Sequence, residues 1–131
     1  MTRNIISILI FISLLYGCLT PSPIKIKGRY FLENDDLGIY LGYQTDKPEI
    51  SLTLVDHYVI AAGYSDKFIV AIQHPKTKDG MSVDSDYYIV PFYDKYTYSP
   101  QDGIIGPLTL NEFNIKKDEL KIDHLTWVKF N

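Results

Sequence analysis

Short runs of apolar residues, many of them alternating with polar ones, recur from residue 26 to the end of the chain. In Ile50–Val55, for example, apolar and polar side chains alternate with a period of two, which indicates a half-buried β-strand. Clusters typical of turns, such as Asn34-Asp35-Asp36 and Asp46-Lys47-Pro48, separate these runs. The pattern predicts a domain built mainly from short antiparallel strands.

The predicted strands are Ile26–Glu33, Leu37–Tyr43, Ile50–Val55, Tyr58–Tyr64, Phe68–Gln73, Tyr87–Tyr93 and Leu125–Phe130. Phe68–Ile72 is apolar on both faces, which favours a central strand covered on both sides. Two stretches lack alternation. We expect His74–Asp86 to be an exposed loop and Asp94–Pro107 to be irregular.

One helix is predicted near the C-terminus, from Leu110 to Leu120. Thr109 can cap it, Glu112 stands three residues later as in a capping box, and Leu108 with Phe113 fits a hydrophobic staple. The predicted fold class is therefore α+β. It is mainly an antiparallel β meander sheet of about six or seven strands with one helix, and a small open barrel is the alternative.

The charge and the cysteine content limit the function. The chain has 131 residues, which suits a single domain. Residues 18–131 hold 12 Lys and Arg against 16 Asp and Glu, a net charge of −4, since Arg3 is the only charged residue before Cys18. The sequence thus lacks the basic patch of a nucleic-acid interface. Cys18 is the only cysteine, so an internal disulfide is excluded.

The N-terminus has the layout of an export signal. Arg3 precedes 12 uncharged residues, 5–16, which are followed by Gly17 and Cys18. The apolar run is shorter than the roughly 20 residues of a transmembrane helix. We predict a signal peptide over residues 1–17, a tether over 18–25 and a single β-rich domain over 26–131.

Leu15-Tyr16-Gly17-Cys18 resembles the lipobox of bacterial lipoproteins, with Tyr16 where that family has a small residue. The resemblance implies that Cys18 carries a diacylglycerol and that the new N-terminus is acylated, for instance with palmitate. Two or more chains give stable anchoring, where one would not. It also implies a place in the bacterial cell envelope, and in the outer membrane if the host has two membranes, because Leu19-Thr20 follows the cysteine.

Four further segments carry a second resemblance: Gly28–Tyr30, Asp66–Gln73, Tyr87–Val90 and Gly106–Phe113. Together they are similar to small bacterial lipoproteins grouped as domains of unknown function. This resemblance implies export and lipidation, and it supplies no activity and no catalytic residues.

No catalytic or metal-binding set is predicted. His57, His74 and His124 have no partner at metal-ligand spacing, and alternation would point Asp56 and His57 to opposite faces. Asp79, Asp84 and Asp86 share one loop without the closing Glu of an EF-hand, so a solvated loop is the simpler interpretation. We expect no cofactor and no metal, and a protein that is not an enzyme.

Tyrosines crowd the stretch from residue 87 to 98, and we single out Tyr93, Tyr96 and Tyr98 as a possible interaction surface. Tyrosine gives a large contact area at low entropic cost. The expected function is a non-catalytic envelope lipoprotein that binds a protein partner or a ligand. The alternatives are an immunity or inhibitor lipoprotein against an exported toxin, and an enzyme acting on envelope polymers through Asp84 and Asp86.

Overall fold

The computed structural model describes residues 22–77, 80–81 and 84–130. Within these residues the chain forms one helix, α1 (Leu110–Glu119), and the strands β1 (Ile24–Lys27), β2 (Tyr30–Asp35), β3 (Gly38–Gln44), β4 (Ser51–Val55), β5 (Val59–Tyr64), β6 (Phe68–Gln73), β7 (Lys76–Thr77), β8 (Gly80–Met81), β9 (Asp86–Pro91), β10 (Ile105–Leu108) and β11 (Thr126–Trp127).

The strands form two large antiparallel sheets. Sheet 1 has the order β1-β2-β3-β4, and sheet 2 has the order β10-β9-β6-β5-β11. The α+β class, the antiparallel pairing and the single helix near the C-terminus of the described chain are confirmed. The two large sheets together contain nine strands, whereas a single sheet of six or seven strands was expected. After β4 the chain starts a second sheet, so that each sheet covers the apolar face of the other.

The core between the sheets follows from the alternation in β2 and β3. Tyr30 lies opposite Tyr43 and Leu32 lies opposite Leu41. All four side chains are fully buried against sheet 2. Residues at alternate positions point to the outer face of sheet 1, as the period of two requires.

Strand β6 has the central position that its sequence predicts, between β5 and β9. Ile69 and Ala71 belong to the core facing sheet 1, whereas Val70 belongs to a second core facing α1. Both faces of β6 are therefore covered. The helix supplies Phe113 to this second core, where its ring stacks on that of Tyr87 at a centroid distance of 4.9 Å.

The capping box of α1 is confirmed. Thr109 Oγ1 accepts a hydrogen bond from the Glu112 amide at 3.2 Å, and Glu112 Oε2 accepts one from the Thr109 amide at 2.9 Å. The helix ends at Glu119, with Leu120 as its C-cap. Ile115 is 52% exposed, which agrees with its position off the face shared by Phe113 and Leu120.

Four predicted boundaries are wrong. A turn at Gly28, whose φ is +56°, divides the predicted strand Ile26–Glu33 into β1 and β2. Asp94–Pro107 contains most of β10, and the predicted loop His74–Asp86 contains the short hairpin β7–β8. The closing strand is reduced to Thr126–Trp127, which pair with Tyr64 and Gly63 of β5.

Candidate functional site

The tyrosine-rich segment between β9 and β10 crosses the end of sheet 1 at which β2 begins and β3 ends. Two buried phenols fix its backbone. Tyr30 Oη donates to the Pro91 carbonyl at 3.0 Å and accepts from the Tyr93 amide at 3.2 Å. Tyr43 Oη accepts from the Thr97 amide at 3.0 Å. Burial raises the pKa of Tyr30, so its phenol stays protonated and keeps its donor.

Tyr96 contacts two neighbouring side chains. The Tyr96 ring stacks on that of Tyr43 with a centroid distance of 6.3 Å. The guanidinium carbon of Arg29 lies 4.9 Å from the centroid of the Tyr96 ring. A cation over the face of an aromatic ring is attracted by the ring quadrupole. Burial of the phenol and the nearby Asp46 carboxylate both raise the pKa of Tyr96.

Arg29 is itself fixed by two hydrogen bonds. Its Nη2 donates to Asp46 Oδ1 at 2.9 Å, and its Nη1 donates to the Gln44 carbonyl at 3.2 Å. The side chains of Arg29 and Asp46 are both partly open to solvent. The ion pair therefore adds little stability by itself, and its main effect is to orient the guanidinium over Tyr96.

Tyr98 projects from this arrangement. Its side chain is 84% exposed, and its ring contacts Tyr96 edge-on at a centroid distance of 4.9 Å. We call the surface formed by Arg29, Asp46, Tyr96 and Tyr98 the Tyr98 patch. A groove of about 420 Å³ opens beside the Tyr98 patch on the outer face of sheet 1. Arg29 belongs to the patch and also lines the groove.

Of the three tyrosines predicted to form one surface, the structure brings Tyr96 and Tyr98 into contact. Tyr93 is turned toward Asp102, whose carbonyl accepts a hydrogen bond from its phenol at 3.2 Å. Arg29 and Asp46 were missed by sequence reasoning. They precede Tyr96 by 67 and 50 residues, and no local pattern links residues so far apart.

A second polar cluster lies at the other end of sheet 1. His57 Nε2 is 2.9 Å from Asp35 Oδ2, and His57 Nδ1 is 2.6 Å from Asp56 Oδ1. The Tyr40 ring lies 5.3 Å from the imidazole, centroid to centroid. We call Asp35, Tyr40, Asp56 and His57 the His57 corner. The expectation that Asp56 and His57 point to opposite faces is wrong, because β4 ends at Val55 and strand alternation ends with it.

Hydrogen bonds and burial are the main causes of the pKa shifts in the His57 corner. The hydrogen bond to Asp35 is the main cause that raises the pKa of His57 above its ordinary value. The hydrogen bond between Asp35 and His57 lowers the pKa of Asp35. Hydrogen bonds from the amide and the ring of His57 lower the pKa of Asp56. Burial and the Glu33 carboxylate raise the pKa of Tyr40 to about 12.

The other candidate residues do not form a site in the described part of the chain. Among residues 22–77, 80–81 and 84–130, no group of three or more His, Cys, Asp or Glu could hold a metal ion. Asp86 begins β9, and Asp84, which is exposed, lies two residues before it. Asp79, Cys18 and the whole predicted signal peptide lie outside the described residues. The described residues contain no helix that is long and apolar enough to span a membrane.

The family match extends over almost all of this architecture, from the last residue of β1 through β11. Residues 27–130 match a family described as a protein of unknown function (DUF3997). The chain belongs to the DUF3997 family. The match includes both the Tyr98 patch and the His57 corner of this DUF3997 protein. No curated protein and no solved structure matches the chain.

Proposed function

We propose that this DUF3997 protein is a lipid-anchored lipoprotein of the bacterial cell envelope, and that its domain binds a protein partner through the Tyr98 patch without catalysing a reaction. The two parts of the proposal have separate support. The anchor is supported by the residues around Cys18, and the binding function by the geometry of the patch.

The N-terminal sequence supports the anchor. A signal over residues 1–17 leaves Cys18 at the new N-terminus, where diacylglyceryl and acyl chains together would hold the protein on a membrane. Strand β1 begins at Ile24. Six residues of extended chain reach about 20 Å, so the domain would remain close to the membrane surface.

The observation that carries the binding function is the exposure of Tyr98 on a preorganised base. Tyr98 is 84% exposed, and its ring contacts that of Tyr96, which in turn contacts Tyr43 and Arg29. Tyrosine and arginine are enriched among residues that dominate binding energies. Because the patch is ordered before binding, a partner would not pay the full cost of ordering these side chains.

The groove beside the patch supports a protein as the partner. Its lining combines the charged residues Lys25, Arg29 and Glu33 with the apolar Phe31 and Pro48. A mixed groove next to an exposed aromatic residue suits a polypeptide, which can place one side chain in the groove while its backbone crosses Tyr98.

A photo-crosslinking experiment tests this function. The full-length chain would carry p-benzoylphenylalanine at position 98 in the envelope of its host, and the matched control would carry it at position 115 on α1, where Ile115 is also exposed. We expect one defined adduct from position 98 only. The adduct should lose most of its intensity when Arg29→Ala removes the support of Tyr96.

Identical adducts from positions 98 and 115 would overturn the binding function, and so would no adduct from position 98. An adduct from position 98 that is insensitive to Arg29→Ala would also contradict it, because the preorganised patch would then not determine the contact.

A further inference from the structure

The His57 corner joins two parts of the fold that are distant in sequence. Asp35 ends β2 in sheet 1, while His57 lies in the connection between β4 and β5, where the chain passes to sheet 2. Gln73 of β6 fixes this connection by donating from Nε2 to the carbonyls of Asp56 at 3.1 Å and His57 at 2.9 Å. The imidazole therefore ties the β2–β3 turn, residues 35–37, to an element anchored on the other sheet.

The two ring nitrogens of His57 each face a carboxylate oxygen within hydrogen-bond distance. A carboxylate that is ionised can only accept, so both nitrogens must donate. A neutral imidazole has one N–H and one lone pair. The observed arrangement is thus the one formed by a doubly protonated ring, held by two charge-assisted hydrogen bonds.

Two tyrosines lie near this ring: Tyr40 packs against it, and Tyr58 is its neighbour in sequence. Tyr40 comes from β3, and its phenol donates to the carboxylate of Glu33 on β2. Tyr58 follows His57 directly and has a φ of +74°, a conformation that is uncommon for a bulky residue. Only 18% of the His57 side-chain surface is exposed. The imidazole is therefore shielded, while the carboxylates of Asp35 and Asp56 remain in contact with solvent.

We propose that His57 is a pH-dependent latch: its protonated ring holds the β2–β3 turn against the β4–β5 connection, and loss of one proton releases the turn. The proton leaves from Nε2 to water. Nδ1 keeps its proton, because its bond to Asp56 is the shorter one and joins adjacent residues. The Nε2 lone pair then faces the Asp35 carboxylate, which it repels.

Release of the turn changes the surface beside it. A cavity of about 320 Å³ lies at this corner, lined by Leu37, Asp56, His57, Tyr58, Gln73 and Pro75. Leu37, which is 63% exposed, is fixed by its amide hydrogen bond to Asp35 Oδ1 at 2.8 Å. When Asp35 moves away from His57, Leu37 moves with it and the cavity widens. The raised pKa of His57 agrees with a latch that is still mainly closed at pH 6.5.

Nuclear magnetic resonance of the ¹⁵N-labelled full-length protein in detergent micelles tests the latch. The spectra would follow the ring nitrogens of His57 and the amides of residues 35–38 as a function of pH. We expect His57 to titrate above 6.5, its ordinary pKa, and to keep its proton on Nδ1. The amides of residues 35–38 should shift with the same midpoint.

Two variants separate the latch from a merely structural contact. Asp35→Asn should lower the His57 midpoint and remove the linked shift of residues 36–38. Asp56→Asn should lower the midpoint but leave the linked shift. A His57 midpoint at or below 6.5, a proton retained on Nε2, or a linked shift unchanged in Asp35→Asn would each overturn the proposal.

Discussion

The guanidinium group of Arg29 lies 4.9 Å from the centre of the Tyr96 ring, which ties the turn between β1 and β2 to the segment after β9. This relationship brings a cation and an aromatic ring together from positions 67 residues apart. It also supports Tyr98, whose ring contacts that of Tyr96. The position of Tyr96 and Tyr98 in the Tyr98 patch therefore depends on Arg29, although Arg29 lies in a distant part of the sequence.

Replacement of Arg29 by alanine should have a small effect on stability and a larger one on the patch. The variant loses a partly exposed cation–π contact and an exposed ion pair, so we expect a loss of about 0.5 to 1 kcal/mol in the free energy of unfolding. Urea denaturation measures this loss, with Lys129→Ala as the control for removing an exposed cation. A loss above about 3 kcal/mol would show that Arg29 has a core role that the structure does not assign to it.

Removal of the Tyr30 hydroxyl should lower the stability of the protein more than removal of an exposed tyrosine hydroxyl. Tyr30→Phe removes the group that joins the Pro91 carbonyl and the Tyr93 amide in a fully buried position. Leaving buried polar groups unpaired costs about 1 to 3 kcal/mol, and we expect a loss of that size in urea denaturation. Tyr98→Phe is the matched control, because its side chain is 84% exposed and the same change should be nearly neutral. Equal losses in the two variants would contradict this role of Tyr30.

The capping box of α1 predicts an effect of a single hydroxyl. Thr109→Ala removes the acceptor of the Glu112 amide and should destabilise the protein by about 1 kcal/mol. Thr109→Ser keeps the hydroxyl and should recover most of this loss. Thermal unfolding followed by circular dichroism distinguishes the two variants, and identical melting temperatures for Ala and Ser at this position would contradict the capping role.

The His57 corner predicts how stability depends on pH. The pKa of His57 is raised in the folded protein, so its contribution is complete below its ordinary value of 6.5 and is lost as pH rises through the folded value. The pKa values of Asp35 and Asp56 are lowered, so their contribution is complete above 3.8 and is lost as pH falls through the folded values. Stabilisation by the corner is therefore greatest between pH 3.8 and 6.5.

Denaturation of the wild type and of His57→Gln across this range measures that contribution. Glutamine keeps a donor group and an acceptor group but cannot become charged. The difference in the free energy of unfolding between the two proteins should be largest between pH 4 and 6 and should decrease on both sides. A difference that does not change with pH would show that the charge of His57 does not contribute.

The local parts of the fold could be predicted from the sequence. The helix begins where Thr109 and Glu112 place it, because a capping box depends on residues three apart. The central position of β6 could be predicted because its apolar residues occupy both faces of the strand. This pattern is visible in the sequence without knowledge of the strands that pair with β6. The predicted strands Ile50–Val55 and Phe68–Gln73 agree with β4 and β6 to within one residue, because each has a clear local pattern of apolar residues.

The division into two sheets and the candidate sites depend on contacts between distant residues. Asp35 meets His57 across 22 positions, and Arg29 meets Tyr96 across 67. Neither pair leaves a periodic pattern, because each is set by the way sheet 1 lies on sheet 2. The tyrosine-rich segment could be recognised by composition, but which of its tyrosines would form the exposed surface depended on the buried phenols of Tyr30 and Tyr43.

The anchor at Cys18 is the central claim of the proposed function, since it places the Tyr98 patch at a membrane surface. The most direct test is mass spectrometry of the N-terminal peptide of the protein purified from host membranes. We predict a peptide that begins at Cys18 and carries diacylglyceryl and acyl groups, and a Cys18→Ser variant that no longer fractionates with the membrane. A peptide that begins at Met1, or one that begins at residue 18 with a free thiol, would contradict the proposal.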